Sequence, residues 1–185
     1  MTTLKLVEPI FQGLSKIISG GQTGADRGGI DAAFELGVTT GGHAPLGWRT
    51  SYGPAPELER FGLVQDISAA YPPRTRLNAK NSDATVIIGT QMNSPGSVLT
   101  LRLCKQMHRP CRLIGLTENY KQEELLEQAK SLANFIRAKR VQTLNVAGNR
   151  DEAGSSLHYD MTFKIIQTML LDLYATGHLI LPGVQ

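Results

Sequence analysis

The stretch that decides the fold of this 185-residue chain is residues 15–33, S-K-I-I-S-G-G-Q-T-G-A-D-R-G-G-I-D-A-A. Ile17 and Ile18 form a short apolar run that is typical of a buried strand, and apolar residues from position 30 to 36 recur at helical spacing. A glycine-rich segment, residues 20–24, separates the two and is called the glycine loop below. Strand, glycine loop and helix together form the first half of a βαβ unit.

The glycine loop predicts an anion site, most simply for a phosphate group. Glycines allow backbone N–H groups to approach a ligand, and the following helix directs the positive end of its dipole at the same point. Neither standard nucleotide motif is complete, because GxGxxG would need a glycine in place of Ser19 and the ATP-type loop would need a lysine after Gly24. The alternative is a tight turn that only lets helix and strand pack, but Gln22, Thr23 and Asp26 exceed what a turn requires.

Length and composition predict one globular domain over residues 1–185, with residues 1–14 as a loosely held lead-in. The net charge of +3 is too small to indicate duplex nucleic acid, but it is compatible with a small anionic ligand. Cys104 and Cys111 fit neither a zinc spacing nor a disulfide framework, and four scattered histidines give no metal-ligand pattern, so no metal site is expected. Without a signal pattern or a membrane-length apolar run, a cytoplasmic protein with no membrane partner is predicted.

Strand-like and helical patterns alternate along the chain. Strands are predicted over residues 15–20, 38–40, 84–89, 112–116 and 141–147. Helices are predicted over 26–36, 74–82, 98–107, 120–140 and 156–174, with a short helical turn within 57–65. This alternation predicts an α/β fold, a Rossmann-like three-layer sandwich whose mostly parallel sheet has the core order 3-2-1-4-5 and helices on both faces.

Three loops follow strands and should therefore meet at one edge of the sheet. They are the glycine loop, residues 94–97 and residues 148–150. In such sheets, ligands bind outside the carboxyl ends of the strands, which makes this edge the predicted site. A Gly/Pro-rich loop over residues 41–54, with His43, Trp48, Arg49 and Tyr52, can overhang the same place, although a simple surface loop is the alternative.

Two common enzyme classes are disfavoured by the sequence. NAD-dependent enzymes need an acidic residue at the end of the second strand, and residues 39–43 contain none. No serine or cysteine lies in a G-x-S-x-G elbow, which disfavours nucleophilic hydrolysis. Asp26 is more typical of a helix start than of a general base, and Asp83, at the start of its strand, is expected to be structural and to lie at the opposite edge.

Several motifs together resemble those of the molybdenum carrier family, the molybdenum cofactor carrier proteins, which are related to a Rossmann-like, lysine decarboxylase-like group. The longest is G-G-Q-T-G-A-D-R-G-G-I-D-A-A at residues 20–33. Shorter ones follow in the family's order across about residues 15–170: Gly41-Gly42 with Pro45 and Gly47, Arg74-Thr75 with Asn78, Ser82-Asp83-Ala84-Thr85, Gly96-Ser97 with Leu99-Thr100, and Asn145-Val146-Ala147-Gly148.

The resemblance implies a homo-oligomer, with a tetramer favoured, that holds molybdenum cofactor (molybdopterin), a pterin with one phosphate and a dithiolene-bound molybdenum. Its implied role is to store the cofactor and hand it to a recipient molybdoenzyme without catalysis. Ala44 and Leu46 stand where the family often has cysteine and lysine, so the cation of that loop moves to Arg49. The family's late motif, often Gly-Pro-Arg-Glu-Ser, appears here as Gly148-Asn149-Arg150-Asp151-Glu152, so Arg150 is the residue that carries over.

The hydrolases of the related group carry P-G-G-x-G-T-x-x-E with a catalytic glutamate. In this chain the motif aligns with residues 95–103, and the glutamate position holds Leu103. A leucine cannot act as an acid or a base, which argues against nucleotide hydrolysis.

The favoured hypothesis is thus a non-enzymatic carrier of a small anionic cofactor. The alternatives are a hydrolase acting on a nucleotide or phosphoribosyl compound, and a nucleotide-sensing domain. The predicted cofactor-binding residues are Gly20, Gly21, Gln22, Thr23, Gly24, Arg27, His43, Arg49, Gly96, Ser97, Thr100, Gly148 and Arg150.

Overall fold

A computed structural model describes residues 12–182 of the chain, and it has a six-stranded sheet at its centre. The sheet strands are β1 (Lys16–Ser19), β2 (Thr39–Ala44), β5 (Leu63–Gln65), β6 (Ala84–Gly89), β7 (Cys111–Gly115) and β8 (Thr143–Gly148). A separate hairpin consists of β3 (Arg49–Thr50) and β4 (Gly53–Pro54). Neighbouring strands of the large sheet pair in parallel throughout, as predicted.

Helices cover both faces of the sheet and complete three layers, which confirms the predicted α/β Rossmann-like class. The helices are α1 (Ala25–Glu35), α2 (Tyr71–Lys80), α3 (Pro95–Gln106), α4 (Gln122–Lys139) and α5 (Leu157–Ala175). Helices α1, α4 and α5 pack together on one face, and α2 and α3 pack together on the other. The apolar core lies mainly between the sheet and the first of these layers, where Ile30, Leu132 and Ile165 are fully buried.

The predicted strand order was wrong in detail. The observed order is β5-β2-β1-β8-β6-β7, so the last strand in the chain lies between β1 and β6 instead of at an edge. A difference in charge accounts for the two positions. Strand β8 has no charged residue and buries four consecutive residues, Leu144 to Ala147, whereas β7 carries Arg112 and buries only Ile114. The uncharged strand takes the position that is covered on both faces, and β7 is left at the edge.

Two local predictions also needed correction. The segment 57–65 is not one helical turn, because a 3₁₀ helix over Pro56–Phe61 is followed by strand β5. The loop 41–54 is not structureless: β2 extends to Ala44, a 3₁₀ turn covers Leu46–Trp48, and the β3–β4 hairpin follows. Glycines 41 and 42 disfavour a strand locally, but hydrogen bonding to β1 on one side and β5 on the other holds them in one.

The ends of the described chain meet. Most of the predicted lead-in, residues 1–11, lies outside the described residues. The next apolar side chain, Leu14, is fully buried and forms a parallel bridge with Leu179. Within residues 12–182, no helix combines the length and the apolar character that a membrane span requires.

Candidate functional site

The three predicted loops meet at the carboxyl edge of β1, β8 and β6, which are adjacent strands. The buried side chain of Asn149, directly after β8, joins them. Its Oδ1 accepts a 2.7 Å hydrogen bond from the Gln91 N–H, and its Nδ2 donates to Ser94 Oγ at 3.1 Å. The Asn149 carbonyl accepts from the N–H of Ala25 at 3.0 Å. One asparagine therefore ties together the glycine loop and the loops after β6 and β8.

The inner side of the glycine loop is occupied by a carboxylate of the protein itself. Asp26 Oδ2 accepts a 3.3 Å hydrogen bond from the Gln22 N–H and forms a 3.1 Å ion pair with Arg74 Nη1. The Asp26 side chain is buried and that of Arg74 is only 11% exposed, and the Arg74 guanidinium lies where a side chain on Gly20 would be. Burial raises the pKa of Asp26, and the nearby Arg74 charge opposes that rise. The anion of this cradle is thus the Asp26 carboxylate.

Gln22 fixes the outer side of the same loop. Its Oε1 accepts hydrogen bonds from the N–H of Thr23 at 2.9 Å and from the N–H of Ser51, in the β3–β4 hairpin, at 2.8 Å. The Thr23 hydroxyl donates to the Asp151 carbonyl at 3.1 Å. These bonds hold the hairpin and the β8–α5 loop over the glycine loop.

A cavity of about 400 Å³ lies between the hairpin and the β8–α5 loop. The Tyr52 hydroxyl joins the hairpin to the β8–α5 loop, because it donates to the Glu152 carbonyl at 2.6 Å. The Tyr71 ring forms part of the wall, with the Arg49 guanidinium 5.3 Å from the ring centroid and that of Arg74 at 5.9 Å. The lining residues are Arg49, Thr50, Ser51, Tyr52, Tyr71, Arg150, Asp151, Glu152 and Ala153. The cavity thus combines two exposed arginines with an aromatic wall.

A short series of hydrogen bonds anchors the β8–α5 loop, which forms one wall of the cavity. Asp151 accepts hydrogen bonds from the N–H groups of His158 and Tyr159, both at 2.9 Å, and so caps the start of α5. The His158 ring lies between Asp151 Oδ1, at 2.9 Å from Nδ1, and Thr90 Oγ1, at 3.1 Å from Nε2. This series of hydrogen bonds connects the cavity wall to the end of β6.

Of the predicted site residues, Arg49 and Arg150 line the cavity, whereas no residue of the glycine loop does. The structure separates Arg27, which forms ion pairs with Asp31 and Glu57 at 3.0 and 3.2 Å. Gly96, Ser97 and Thr100 belong to α3, and Gly148 is the last residue of β8. The Thr100 hydroxyl donates to the carbonyl of Gly96, Ser97 accepts a bond from Ser94, and Gly148 packs against β6; none of these lines the cavity.

His43 also lies away from the cavity, because it belongs to β2 and not to a loop. Its Nε2 contacts Asn81 Nδ2 at 3.1 Å, just beyond the end of α2. Burial lowers the pKa of His43, helped by Lys16 and opposed by Asp66. The neutral imidazole is therefore the form that the fold favours.

A pH-dependent loss of stability should follow from His43. The unfolded chain takes up the proton near pH 6.5 and the folded chain only at lower pH, so acidification through this window favours unfolding. We expect His43→Gln to reduce the difference in the free energy of unfolding between pH 7 and pH 5, measured by urea denaturation. The exposed His108, changed to glutamine, is the control. An unchanged difference in His43→Gln would contradict the assignment.

Sequence reasoning missed Tyr71 and Arg74. Arg74 belongs to one of the motifs on which the family resemblance rests, and that signal could have marked it as a site residue. Tyr71 carries no local signal, because its position follows only from where α2 begins relative to the hairpin. Asp83 is structural, as predicted, since its carboxylate accepts from the N–H groups of Gln142 and Thr143 at 3.0 and 2.8 Å. Across residues 12–182, no cluster of three or more His, Cys, Asp and Glu side chains is arranged to hold a metal ion.

Comparison with known proteins assigns the family. The model of the circularly permutated YpsA SLOG family matches residues 17–170. The crystal structure of a protein from Syntrophus aciditrophicus SB, named "putative molybdenum carrier protein", is similar with a TM-score of 0.76 and 31% sequence identity, over 86% of this chain and 96% of that one. No curated protein sequence matches. The resemblance to molybdenum carrier proteins is confirmed, and the chain belongs to the circularly permutated YpsA SLOG family.

Proposed function

We propose that this protein stores and carries molybdenum cofactor, and that it holds the anionic pterin in the cavity between the hairpin and the β8–α5 loop. The observation that carries the proposal is the presence of Arg49 and Arg150 in one cavity with the Tyr71 ring. The name of the similar protein from Syntrophus aciditrophicus SB supports the molybdenum-related part. The cavity volume of about 400 Å³ is in the range of small-molecule sites.

The chemistry of the lining residues fits a flat heterocycle with a phosphate. A guanidinium group presents parallel N–H donors that match two phosphate oxygens, so Arg49 and Arg150 are the phosphate ligands in this proposal. The face of Tyr71 offers a stacking surface for the pterin ring. In this arrangement the glycine loop supports the two segments that line the binding site. The N–H of Gln22, on the inner side of that loop, remains hydrogen-bonded to the Asp26 carboxylate.

The arginines provide the test of the binding site. We expect Arg49→Ala and Arg150→Ala each to weaken the binding of purified molybdopterin by about tenfold or more, because each removes a charge-assisted hydrogen bond worth roughly 1.5 kcal/mol or more. Isothermal titration calorimetry measures the change. Arg102→Ala is the matched control, since Arg102 is exposed on α3 and does not line the cavity. Equal affinities in all three variants would overturn the site, and no binding by the wild-type protein would overturn the function.

A non-catalytic role is part of the same proposal. Leu103, which stands where the related hydrolases have a catalytic glutamate, is buried against Ala79 and Cys104 and faces away from solvent. The second candidate function is a hydrolase acting on a nucleotide or phosphoribosyl compound, because the same cavity suits a nucleoside monophosphate. Incubation with a panel of nucleoside monophosphates separates the two: the carrier proposal requires that neither free base nor phosphate appears.

The remaining parts of the proposal concern the assembly and the recipient. The family resemblance supports a homo-oligomer, with a tetramer favoured, and transfer of the cofactor to a molybdoenzyme. The proposed cytoplasmic location rests on the sequence pattern instead. Elemental analysis and mass spectrometry of the material that co-purifies with the protein would identify the cargo directly.

A further inference from the structure

Cys104 and Cys111, the only two cysteines of the chain, lie together at the edge of the sheet opposite the cavity. Cys104 is in the last turn of α3, and Cys111 is the first residue of β7. A small apolar cluster of Ala79, Leu103 and Cys104 encloses the first thiol, and Cys111 packs against that cluster. Cys104 is fully buried, whereas Cys111 is half-buried and reachable from solvent.

Strand register and helix docking make the two cysteines neighbours. Cys111 lies beside Thr85, its Cα partner in the β6–β7 register, and packs against the cluster that contains Cys104. Their proximity is thus set by the pairing of β6 with β7 and by the docking of α3, and not by a flexible loop.

The thiol contact also changes the acidity of the pair. The neighbouring Cys111 thiol, helped by the Thr85 side chain, lowers the pKa of Cys104 to about 7, and Cys104 in turn raises the pKa of Cys111. Groups coupled so closely lose their first proton as a pair, and the two sulfurs share the proton that remains. The pair therefore contains one thiolate near neutral pH, when an isolated cysteine would be mostly protonated.

We propose that Cys104 and Cys111 form a second reactive site, a thiol pair that hydroperoxides oxidise to an intramolecular disulfide. The inference does not depend on the proposed carrier function. It extends the chemistry of the protein to the edge of the sheet that the cavity does not use.

The reaction balances with the hydroperoxide as the oxidant. The proton that the pair retains moves from Cys111 to Cys104 as the half-buried Cys111 sulfur attacks one peroxide oxygen, and the O–O bond breaks to give a sulfenic acid and an alkoxide or hydroxide. That anion takes the proton from Cys104. The Cys104 thiolate then attacks the Cys111 sulfur, the S–O bond breaks, and the leaving hydroxide is protonated by solvent to water. In sum, two thiols lose two electrons and two protons, and ROOH becomes ROH and water.

The full-length protein, treated with a small excess of hydrogen peroxide, tests the proposal. We expect the intact mass to fall by two hydrogen atoms and non-reducing peptide mapping to find Cys104 joined to Cys111. Because the first proton is lost near pH 7, the rate should rise about tenfold between pH 6 and pH 8. Both thiols remaining free in the folded, peroxide-treated protein, or only intermolecular disulfides, would overturn the proposal.

Two variants distinguish the roles of the cysteines. In Cys104→Ala the oxidation of Cys111 should stop at the sulfenic acid, which a dimedone probe captures, because no resolving thiol remains. In Cys111→Ser the buried Cys104 should resist peroxide, provided that circular dichroism confirms the fold. Rapid oxidation of Cys104 in folded Cys111→Ser would contradict the assigned order of attack. Binding at the cavity should be unchanged in both variants, so failure of this proposal and failure of the carrier function are distinguishable.

Discussion

Replacing Gly148 by alanine should destabilise the protein by about 3 kcal/mol, at the upper end of the usual cost of forcing extra atoms into a packed interior. A Cβ at this position would overlap the carbonyl oxygen of Ile88 on the neighbouring strand β6. Strands β6 and β8 occupy the middle of the sheet, with helices on both faces, so neither strand can move aside cheaply. Urea denaturation of wild type and variant measures the loss.

Gly96 provides the matched control, because it was a predicted site residue on the same edge of the sheet. It lies in the first turn of α3, and an added Cβ there meets no atom within 4 Å. Alanine is the better helix former, so Gly96→Ala should stabilise the protein by about 0.5–1 kcal/mol. If Gly148→Ala proved as stable as Gly96→Ala, the tight approach of β8 to β6 would be refuted.

The second large effect is expected for Arg74→Met. Removal of one partner from a buried ion pair leaves the other charge without compensation, at a cost of about 3–5 kcal/mol. Here the remaining charge is Asp26, whose side chain is only 5% exposed beneath the glycine loop. The matched control is Arg27→Met on α1, where the ion pairs with Asp31 and Glu57 are partly exposed and worth about 0–1 kcal/mol.

The loss in Arg74→Met should depend on pH in a defined direction. The pKa of Asp26 is already above its unfolded value of 3.8, and loss of the Arg74 charge raises it further. A raised carboxyl pKa means that the folded state binds the proton more tightly than the unfolded chain does. The stability difference between variant and wild type should therefore be largest at pH 7 and smaller at pH 5. A difference that grows on acidification would show that Asp26 is not the group left unpaired.

Removal of the second charge should recover part of the loss. In the double variant Asp26→Asn with Arg74→Met, no buried charge remains, and the asparagine can still accept the hydrogen bond from the Gln22 N–H. We expect it to be more stable at pH 7 than Arg74→Met alone. Additive losses from the two changes would contradict a direct pair.

Much of the fold was predictable from local sequence because the decisive signals are short-range. The run before the glycine loop predicts β1, and the helical spacing after it predicts α1. The later strands and helices were placed near their observed bounds, except for β2, which extends further, and for β5 and the small hairpin, which were missed. A strand of three residues, Leu63–Gln65, leaves no periodicity to detect. Its strand geometry comes from pairing with β2, which is remote in sequence.

In the candidate site, too, the sequence identifies the types of residue, but packing decides which of them meet. Arg27, Arg49 and Arg150 are indistinguishable as cations in the sequence, but α1 turns Arg27 toward Asp31 and Glu57, while the other two line the cavity. Arg74 is 48 residues from its partner Asp26, and no local pattern encodes a contact over that separation. The choice among like-charged residues is therefore made by the packing of the elements that carry them.

The sequence alone determined the alternating α/β pattern, the glycine loop between a strand and a helix, the meeting of three loops at one edge of the sheet, and the family resemblance, because periodicity and motif spacing are local properties. Only the tertiary structure decided that β8 occupies the centre of the sheet and that Asp26 fills the glycine loop. It also decided which arginines meet at a cavity and that the two cysteines are in contact. These features depend on competition for buried positions and on contacts between distant segments, which the order of residues does not express until the chain has packed.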